Sequence, residues 1–393
     1  MYVAGSCAGA VCNSWDEKEV PVTFQVLPDP GRCPIRRVQT WVEPAKSHAA
    51  AFIIKNIMLR LRTIARTSTR ALSTTTTISE RVTVTRQADG IARVTLTRPK
   101  KMNALDIDMF KAIQEAARSL IADSTGVRAV VLHGEGRAFC AGLDVRSVMH
   151  PMSAKRNMDE LLHRPEGEAG NLAQDVGYLW RRVPVPVIAA THGVALGGGL
   201  QIALGADMRI STPSCKFSVM EAKWGLIPDM SATVTLPELV PRDVALELTL
   251  TGRVFLADEA LRLGLVTRLE EEPLEAAMAL ATEISKKSPD AVSAAKRLMH
   301  ATYAAGCDDQ RALRVESELQ KRLIGGWNQA VCVAKGLGAP PFLQPGFKER
   351  QAEWDEEADE ETEAELQAIL DGVGVDLKPP SEVRLTPKRA TAA

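Results

Sequence analysis

Three consecutive glycines, Gly197 to Gly199, lie inside the apolar stretch VALGGGLQIALGAD and could do chemistry through their backbone. Because glycine has no side chain, a strand-to-helix turn made of glycines leaves its N–H groups unscreened, and the following helix adds its positive N-terminal dipole. Such a turn can stabilise a developing negative charge. The same run is also typical of close packing of a helix on a strand, so both interpretations remain open. Gln201 follows two residues later, and its amide cannot exchange a proton at any accessible pH.

The elements that must position this turn follow from the spacing of apolar residues. The segment RVTVTRQADGIARVTLTRP alternates on both sides of Asp89-Gly90, which predicts a β-hairpin, and we expect the folded part to begin at Arg81. Asp106 can cap a helix whose apolar residues recur at spacings of three and four. Three further strands are predicted in VRAVVLHG (127–134), VPVIAATHG (185–193) and ADMRIST (206–212). Strands that alternate with helices predict stacked βα crossover units.

Helical periodicity replaces the strand pattern after about Glu270. Two Ala-rich amphipathic segments are separated by Ser288-Pro289, and a third helix is predicted from Asp308 to Leu323. Acidic residues dominate from Glu353 to Glu365, which is typical of a solvated tail. We therefore divide the chain from residue 80 onwards into a core at 80–270, a helical C-terminal part at 271–345 and an acidic, largely disordered tail at 346–393.

The N-terminal region has the composition of a sorting signal. No Asp or Glu occurs between Pro44 and Ser79, and Arg62, Arg66 and Arg70 share one helical face. An amphipathic, Arg-rich and Ser/Thr-rich segment without acidic residues predicts a mitochondrial transit peptide over 58–79, and hence a matrix location. A disordered basic tail is the alternative. Residues 1–57 are predicted to be an unstructured upstream extension.

Overall composition argues against nucleic-acid binding, a metal site and a membrane span. The formal net charge is −1, from 48 basic and 49 acidic residues, so no overall field favours nucleic acid. Seven cysteines form no CxxC pair and six histidines are scattered, which predicts no metal site. No apolar run is long enough to cross a bilayer, so no membrane span is expected.

Four motifs together resemble the crotonase superfamily: RPKKMNAL (98–105), GRAFCAGLDV (136–145), GVALGGGLQIALGADMRI and FSVMEAKWGLIPDM (217–230). Their order and spacing are similar to those of enoyl-CoA hydratase/isomerase proteins over roughly residues 81–335. The resemblance implies an α/β fold, a crotonase-like spiral of repeated ββα units with a helical C-terminal part. It also implies an acyl-CoA substrate, a homotrimer or homohexamer, and no cofactor, since coenzyme A is part of the substrate.

The resemblance further implies an oxyanion hole made by the backbone N–H groups of Leu143 and Gly198, which would hold the thioester oxygen of an enolate. Cys140, in the same loop, is interpreted as a packing residue. For Lys100 and Lys101, plain solvent exposure is the alternative to phosphate binding. The substrate-binding residues implied by the resemblance are Ala138, Ala141, Gly142, Asp144, Gly197, Gln201, Lys100 and Lys101.

The catalytic residues implied by the resemblance are Glu221 and Asp229. Hydratases of the superfamily use two glutamates, but Gln201 replaces one of them, which disfavours hydration. Dienoyl-CoA isomerases pair a glutamate with an aspartate eight residues later, as here, although they also carry an aspartate at the Gln201 position. The sequence therefore favours an enoyl- or dienoyl-CoA isomerase. A hydratase or thioester hydrolase, and a non-catalytic acyl-CoA-binding protein, remain the alternatives.

Two structural alternatives remain for the carboxylates. Asp229 follows Pro228 and could be a helix N-cap, because Asp is a good capping residue. Glu221 could form a surface salt bridge with Lys223. Proton transfer near neutral pH would instead require both carboxyl groups to have raised pKa values in an apolar pocket.

Overall fold

A computed structural model describes residues 73–304, 307–339 and 344–350. The predicted extension at 1–57, most of the predicted transit peptide and most of the acidic tail lie outside the described residues. Within the described ranges, no helix is long and apolar enough to cross a membrane. The same ranges contain no group of three or more His, Cys, Asp and Glu side chains that could hold a metal ion.

The centre of the fold is a seven-stranded sheet in the order β1-β2-β3-β4-β5-β7-β10. The first three strands pair antiparallel, and the remaining pairs are all parallel. A second, three-stranded sheet has the order β6-β8-β9. The strands are β1 Thr74–Ile78, β2 Val82–Arg86, β3 Ile91–Leu96, β4 Ala129–Gly134, β5 Val187–Thr191, β6 Val194–Leu196, β7 Met208–Ser211, β8 Lys216–Ser218, β9 Phe255–Leu256 and β10 Arg268–Leu269.

Helices connect the parallel strands and pack on both faces of the large sheet. The larger core lies on one face of the sheet. A smaller core on the other face is covered by the helix Pro273–Ser285, through Ala277 and Ala281. The helices are α1 Ile107–Ala122, α2 Val145–Val148, α3 Ala154–Leu162, α4 Leu172–Arg182, α5 Gly198–Leu204, α6 Ala232–Leu239, α7 Arg242–Thr251, α8 Ala257–Arg262, α9 Pro273–Ser285, α10 Pro289–Tyr303, α11 Asp309–Leu323 and α12 Trp327–Gly336.

Local sequence signals account for several of these elements. The hairpin predicted around Asp89-Gly90 joins β2 to β3, with Gly90 at a φ of +84°. The Asp106 side chain accepts a hydrogen bond from the Met109 N–H at 2.9 Å, so it caps α1 as predicted. The three helices predicted after Glu270 are also present, as α9, α10 and α11.

The fold begins earlier than we predicted. β1 pairs in full register with β2, although it falls inside the segment assigned to a transit peptide. Its sequence, TTTTI, has four exposed threonines, a composition that is also typical of a transit peptide. Threonine favours strands because its branched β-carbon suits extended backbone, so the boundary at Arg81 was wrong.

The C-terminal boundary also requires a correction, because residues 344–350 pack on the body of the protein. The Phe347 ring lies under two cations, with Arg128 at 5.5 Å and Lys335 at 4.1 Å from its centroid. The Lys348 N–H donates to Asn328 Oδ1 at 2.9 Å. The first residues of the predicted tail are therefore ordered against the core and α12. The rest of the tail lies outside the described residues.

A buried ion pair joins the helical C-terminal part to the sheet. Lys296, on α10, donates to Asp207 at 2.8 Å and to the carbonyls of Trp180 and Val185, which satisfies its three ammonium protons. His300 contacts the other Asp207 oxygen at 2.6 Å. Burial alone would raise the pKa of Asp207, but Lys296 and His300 lower it, so the carboxylate stays charged.

Loss of the Asp207 charge should destabilise this junction. We expect Asp207→Asn to lower the free energy of unfolding by roughly 3–5 kcal/mol, because Lys296 would remain buried without a countercharge. Urea denaturation of wild type and variant measures the difference. The control is Asp258→Asn, which removes an exposed pair with Arg262 and should change little. Equal stability of the Asp207 variant and wild type would contradict this role.

Candidate active site

Two loops are held against each other at the entrance to α5. Cys140 accepts from the Leu196 N–H and donates its own N–H to the Val194 carbonyl, both at 3.1 Å. On its other side, the loop pairs with Leu105, whose N–H donates to the Gly142 carbonyl at 2.8 Å. Backbone hydrogen bonds on both sides thus fix the segment 140–144.

The glycine run has a packing role at some positions and a conformational role at others. A side chain on Gly199 would collide with the Cys140 carbonyl, and one on Gly142 would lie 2.6 Å from the Leu196 carbonyl oxygen. Gly197 has a φ of +52°, which glycine adopts without strain. The packing interpretation is therefore correct for Gly199 and Gly142. Packing also constrains Gly198, where a Cβ would lie 2.5 Å from Met230 Sδ and 2.9 Å from Leu105 Cδ1, but these are the ends of flexible side chains.

The backbone N–H groups of Leu143 and Gly198 have no acceptor among the described residues. Gly198 is the first residue of α5, so its N–H has no partner within the helix. The two loops are adjacent here, since a Cβ built on Gly142 would lie 3.7 Å from the Gly198 nitrogen. The structure therefore leaves both of the donors implied by the resemblance available to a ligand.

Glu221 lies beside this turn. It begins a short 3₁₀ turn, Glu221–Trp224, and is 8% exposed. A Cβ on Gly197 would be 3.4 Å from Glu221 Oε1, which places the carboxylate next to the glycine run. Its second oxygen, Oε2, is buried and has no hydrogen-bond partner in the described part of the chain. Among the described residues, no hydrogen bond therefore competes for this oxygen.

Gln201 holds the other oxygen of Glu221 directly. Gln201 Nε2 donates to Glu221 Oε1 at 2.6 Å, and both side chains are buried. Gln201 Oε1 accepts from the N–H groups of Met230 at 2.9 Å and Ala232 at 3.2 Å. Because these two donors occupy the amide oxygen, the nitrogen must point towards Glu221. A direct contact of this length leaves no space for a water molecule between the two side chains.

Burial raises the pKa of Glu221, and the nearby charge of Asp229 raises it further, whereas the Gln201 hydrogen bond lowers it. Partial desolvation by neighbouring protein atoms also raises the pKa of Asp229, although the residue remains accessible to solvent. Each group therefore holds a proton to a higher pH than usual.

Both structural alternatives for the carboxylates are wrong. Asp229 caps no helix, since α6 begins at Ala232 after Ser231, and the side chain that accepts from the Ala232 N–H is that of Gln201. Glu221 is buried and accepts from Gln201 rather than from Lys223.

The other predicted binding residues differ in accessibility. Ala138 is 1% exposed and its carbonyl accepts from Asn103, so its position does not support a contact with substrate. Ala141 is half-buried and retains a carbonyl without an acceptor role among the described residues. Lys100 and Lys101 are exposed on a 3₁₀ turn, Pro99–Lys101. Both lysines are therefore accessible to an anionic ligand.

Sequence reasoning missed what Asp144 and Arg98 do. Asp144 was predicted to bind substrate, but its carboxylate caps α2 and pairs with Arg98 at 2.9 Å. Arg98 also pairs with Asp106 at 3.2 Å. The signal that could have found this arginine is the presence of an aspartate immediately after each of the paired residues Leu105 and Leu143.

A family model described as enoyl-CoA hydratase/isomerase matches residues 86–330 of this chain. A short-chain-enoyl-CoA hydratase of Clostridium acetobutylicum is 36% identical over 58% of this chain and 84% of its own length. The mitochondrial Delta(3,5)-Delta(2,4)-dienoyl-CoA isomerase of Rattus norvegicus is 33% identical over 55% of this chain and 68% of its own length. The residues that the family model matches include the two site loops and the segment that carries Glu221.

Solved structures give the same result for the fold. The crystal structure of an enoyl-CoA hydratase from Mycobacterium tuberculosis superposes with a TM-score of 0.58 at 29% sequence identity. It covers 69% of this chain and 99% of the solved chain. The crotonase-type fold predicted from the four motifs is therefore confirmed.

Ser231 carries backbone strain beside the site. It adopts a φ of +76°, and its buried hydroxyl has no partner within the described ranges. We expect Ser231→Gly to raise stability by about 1 kcal/mol, because glycine adopts this conformation without strain and removes the orphaned hydroxyl. Thermal unfolding measures the change.

Ser231→Ala is the matched control for this prediction. It removes the hydroxyl but keeps the β-carbon, so it should be less stable than the glycine variant. Lower stability of Ser231→Gly than of wild type would show that the Ser231 side chain stabilises the fold.

Proposed function

The chain belongs to the enoyl-CoA hydratase/isomerase family, and we propose that within this family it is an isomerase that moves double bonds in enoyl- or dienoyl-CoA thioesters. The observation that carries the proposal is the 2.6 Å hydrogen bond between Gln201 and Glu221. Hydration requires an activated water next to the substrate double bond. An isomerase requires only a carboxylate that can take up and return a proton.

The thioester oxygen of the substrate would lie against the N–H groups of Leu143 and Gly198. Removal of a proton next to the thioester produces an enolate, and negative charge then grows on this oxygen. Two fixed donors stabilise that charge more than they stabilise the neutral carbonyl, and each is worth about 2.7–4 kcal/mol. Neither N–H has a competing acceptor among the residues that the structure describes, which supports this assignment.

Glu221 is the group that we propose carries the proton. Its free Oε2 would take a proton from C2 of a 3-enoyl-CoA and return it to C4, which gives the 2-enoyl isomer with no net consumption of protons. For a 3,5-dienoyl substrate the second site of proton transfer is further away, and Asp229 would serve it. The raised pKa values of both carboxyl groups favour transfer near neutral pH.

Hydratase activity is the second candidate. Several relatives carry hydratase names, including the Clostridium acetobutylicum protein. Glu221 alone could activate a water through Oε2, but the second carboxylate of a hydratase pair is replaced by Gln201, whose oxygen is already occupied. A thioester hydrolase would likewise use Glu221 with a water, so the contact with Gln201 disfavours it too. A non-catalytic acyl-CoA-binding protein is a weaker candidate, because it requires no buried carboxylate with a raised pKa.

We propose that the CoA portion lies along the 98–101 turn and Ala141, with Lys100 and Lys101 near its phosphates. No further cofactor is proposed, since coenzyme A belongs to the substrate.

We also propose a homotrimer or homohexamer. Exposed apolar side chains directly after Glu221 support self-association, because they lie on one short surface segment: Trp224, Leu226 and Ile227. Sedimentation of the protein as a monomer would contradict this.

A mitochondrial matrix location is proposed from the Arg-rich, acid-free composition between Met58 and Ser79. β1 now occupies part of that segment, so the signal itself would lie upstream of Thr74. Fusion of residues 58–73 to a reporter protein tests the proposal. Import into isolated mitochondria would support it, and exclusion of the fusion would contradict it.

Glu221→Gln should nearly abolish isomerisation. The amide keeps the shape of the side chain but cannot carry the proton, so kcat for a 3-enoyl-CoA should fall by about 10²- to 10⁴-fold. In the wild type, the rate should rise with pH through an apparent pKa above the ordinary glutamate value, because Glu221 must be ionised to act as a base. Steady-state kinetics with a panel of 2-enoyl-, 3-enoyl- and 3,5-dienoyl-CoAs measure both effects. Unchanged kcat in the variant would refute the proposal.

Asp229→Asn separates the two classes of isomerisation. Isomerisation of a 3,5-dienoyl-CoA should be lost, because the second proton carrier is missing. The 3-enoyl to 2-enoyl shift should persist, since Glu221 can recycle one proton. Equal loss of both reactions would mean that Asp229 supports the site as a whole, and loss of neither would mean that it carries no proton.

A further inference from the structure

Four charged side chains form a network behind the Leu143 loop. Arg98 Nη2 contacts Asp106 at 3.2 Å and Asp144 at 2.9 Å, while its Nη1 donates to the Ala104 carbonyl at 2.8 Å. Arg81 contacts Asp106 alone, with three N···O distances of 3.0 to 3.2 Å. Arg98 is therefore the member that joins the two aspartates.

Each aspartate directly follows a residue of the backbone pair that holds the loop. Leu105 and Leu143 form a parallel bridge, in which the Leu105 N–H donates to the Gly142 carbonyl and its carbonyl accepts from the Asp144 N–H. The peptide N–H of Leu143 lies between these two bonds. Rotation of that N–H would require movement of Gly142 or Asp144. Whatever fixes Asp144 relative to Leu105 therefore fixes the direction of the Leu143 N–H.

We propose that Arg98 is a positioning residue that holds the Leu143 N–H in register with the Gly198 N–H by joining the carboxylates of Asp106 and Asp144. The proposal rests on the proposed function, in which both N–H groups bind the thioester oxygen. Arg98 contacts neither the turn at Gly198 nor Glu221. Its effect on rate is indirect, through the direction of one donor.

The surroundings of Arg98 favour this role over general stabilisation of the surface. The side chains of Arg98, Asp106 and Asp144 are each less than a fifth exposed, so solvent screens their attraction only partly. A guanidinium group presents donors in a rigid plane and can bind two carboxylates and a carbonyl together, whereas an ammonium group presents a single point of charge. The site therefore specifically suits arginine.

The experiment compares Arg98→Gln and Arg98→Lys with Arg81→Gln, which removes the neighbouring arginine from the same Asp106 and is the matched control. We expect Arg98→Gln to lower kcat for the preferred acyl-CoA by about 10- to 100-fold with KM changed less than threefold, because a displaced donor chiefly weakens transition-state binding. Arg98→Lys should recover part of the loss. Arg81→Gln should retain kcat even if it lowers the melting temperature as much.

Hydrogen–deuterium exchange provides a readout that does not depend on activity. The peptide that contains residues 140–144 should exchange faster in Arg98→Gln than in Arg81→Gln. A second outcome is faster exchange of residues 140–144 in Arg98→Gln while the wild type isomerises no substrate. That result would support the positioning role and refute the proposed function. Unchanged exchange and unchanged kcat in Arg98→Gln, or equal effects of the two glutamine variants, would overturn the inference about Arg98.

Discussion

The hydrogen bond from Gln201 to Glu221 is the interaction on which the site depends. Gln201 has no freedom to turn, because two backbone N–H groups of the 230–232 segment occupy its oxygen. Its nitrogen must therefore meet Glu221, and this contact fixes the carboxylate beside Gly197 with one oxygen bonded and the other free. An unpartnered buried oxygen is costly, and in a carboxylate that lies next to the glycine run it supports a chemical role. The same contact excludes water from the position between the two side chains.

Backbone pairing between segments that are distant in the sequence positions the remaining parts of the site. The loop after β4 is held on one side by Leu105 and on the other by the strand that precedes the glycine run. This arrangement brings the loops that carry the Leu143 and Gly198 N–H groups next to each other, and we propose that the ion pair of Arg98 with Asp144 holds the first loop in place. The energetic effect that we propose is preorganisation: donors that are oriented before the substrate binds need little reorganisation as charge grows on the thioester oxygen.

Local sequence signals predicted the secondary-structure elements that depend on interactions between residues close in the sequence. The turn at Asp89-Gly90 requires a positive φ, Asp106 caps its own helix, and the C-terminal helices follow their apolar spacing. Long-range contacts were not predictable in this way. The strand Thr74–Ile78 depends on pairing with β2, and the segment around Phe347 depends on cations from two other elements. The orientation of Gln201 likewise depends on two backbone donors some thirty positions away.

Isotope labelling shows directly whether the protein transfers protons without adding water. Wild-type protein would be incubated in H₂¹⁸O with 3-enoyl-, 3,5-dienoyl- and 2-enoyl-CoA, and the products analysed by mass spectrometry. We expect conversion of a 3-enoyl- or 3,5-dienoyl-CoA into its isomer of unchanged mass, with little ¹⁸O in any product. Rapid formation of ¹⁸O-labelled 3-hydroxyacyl-CoA from the 2-enoyl substrate would refute the proposed isomerase, because water would then have reached the position that Gln201 is inferred to close.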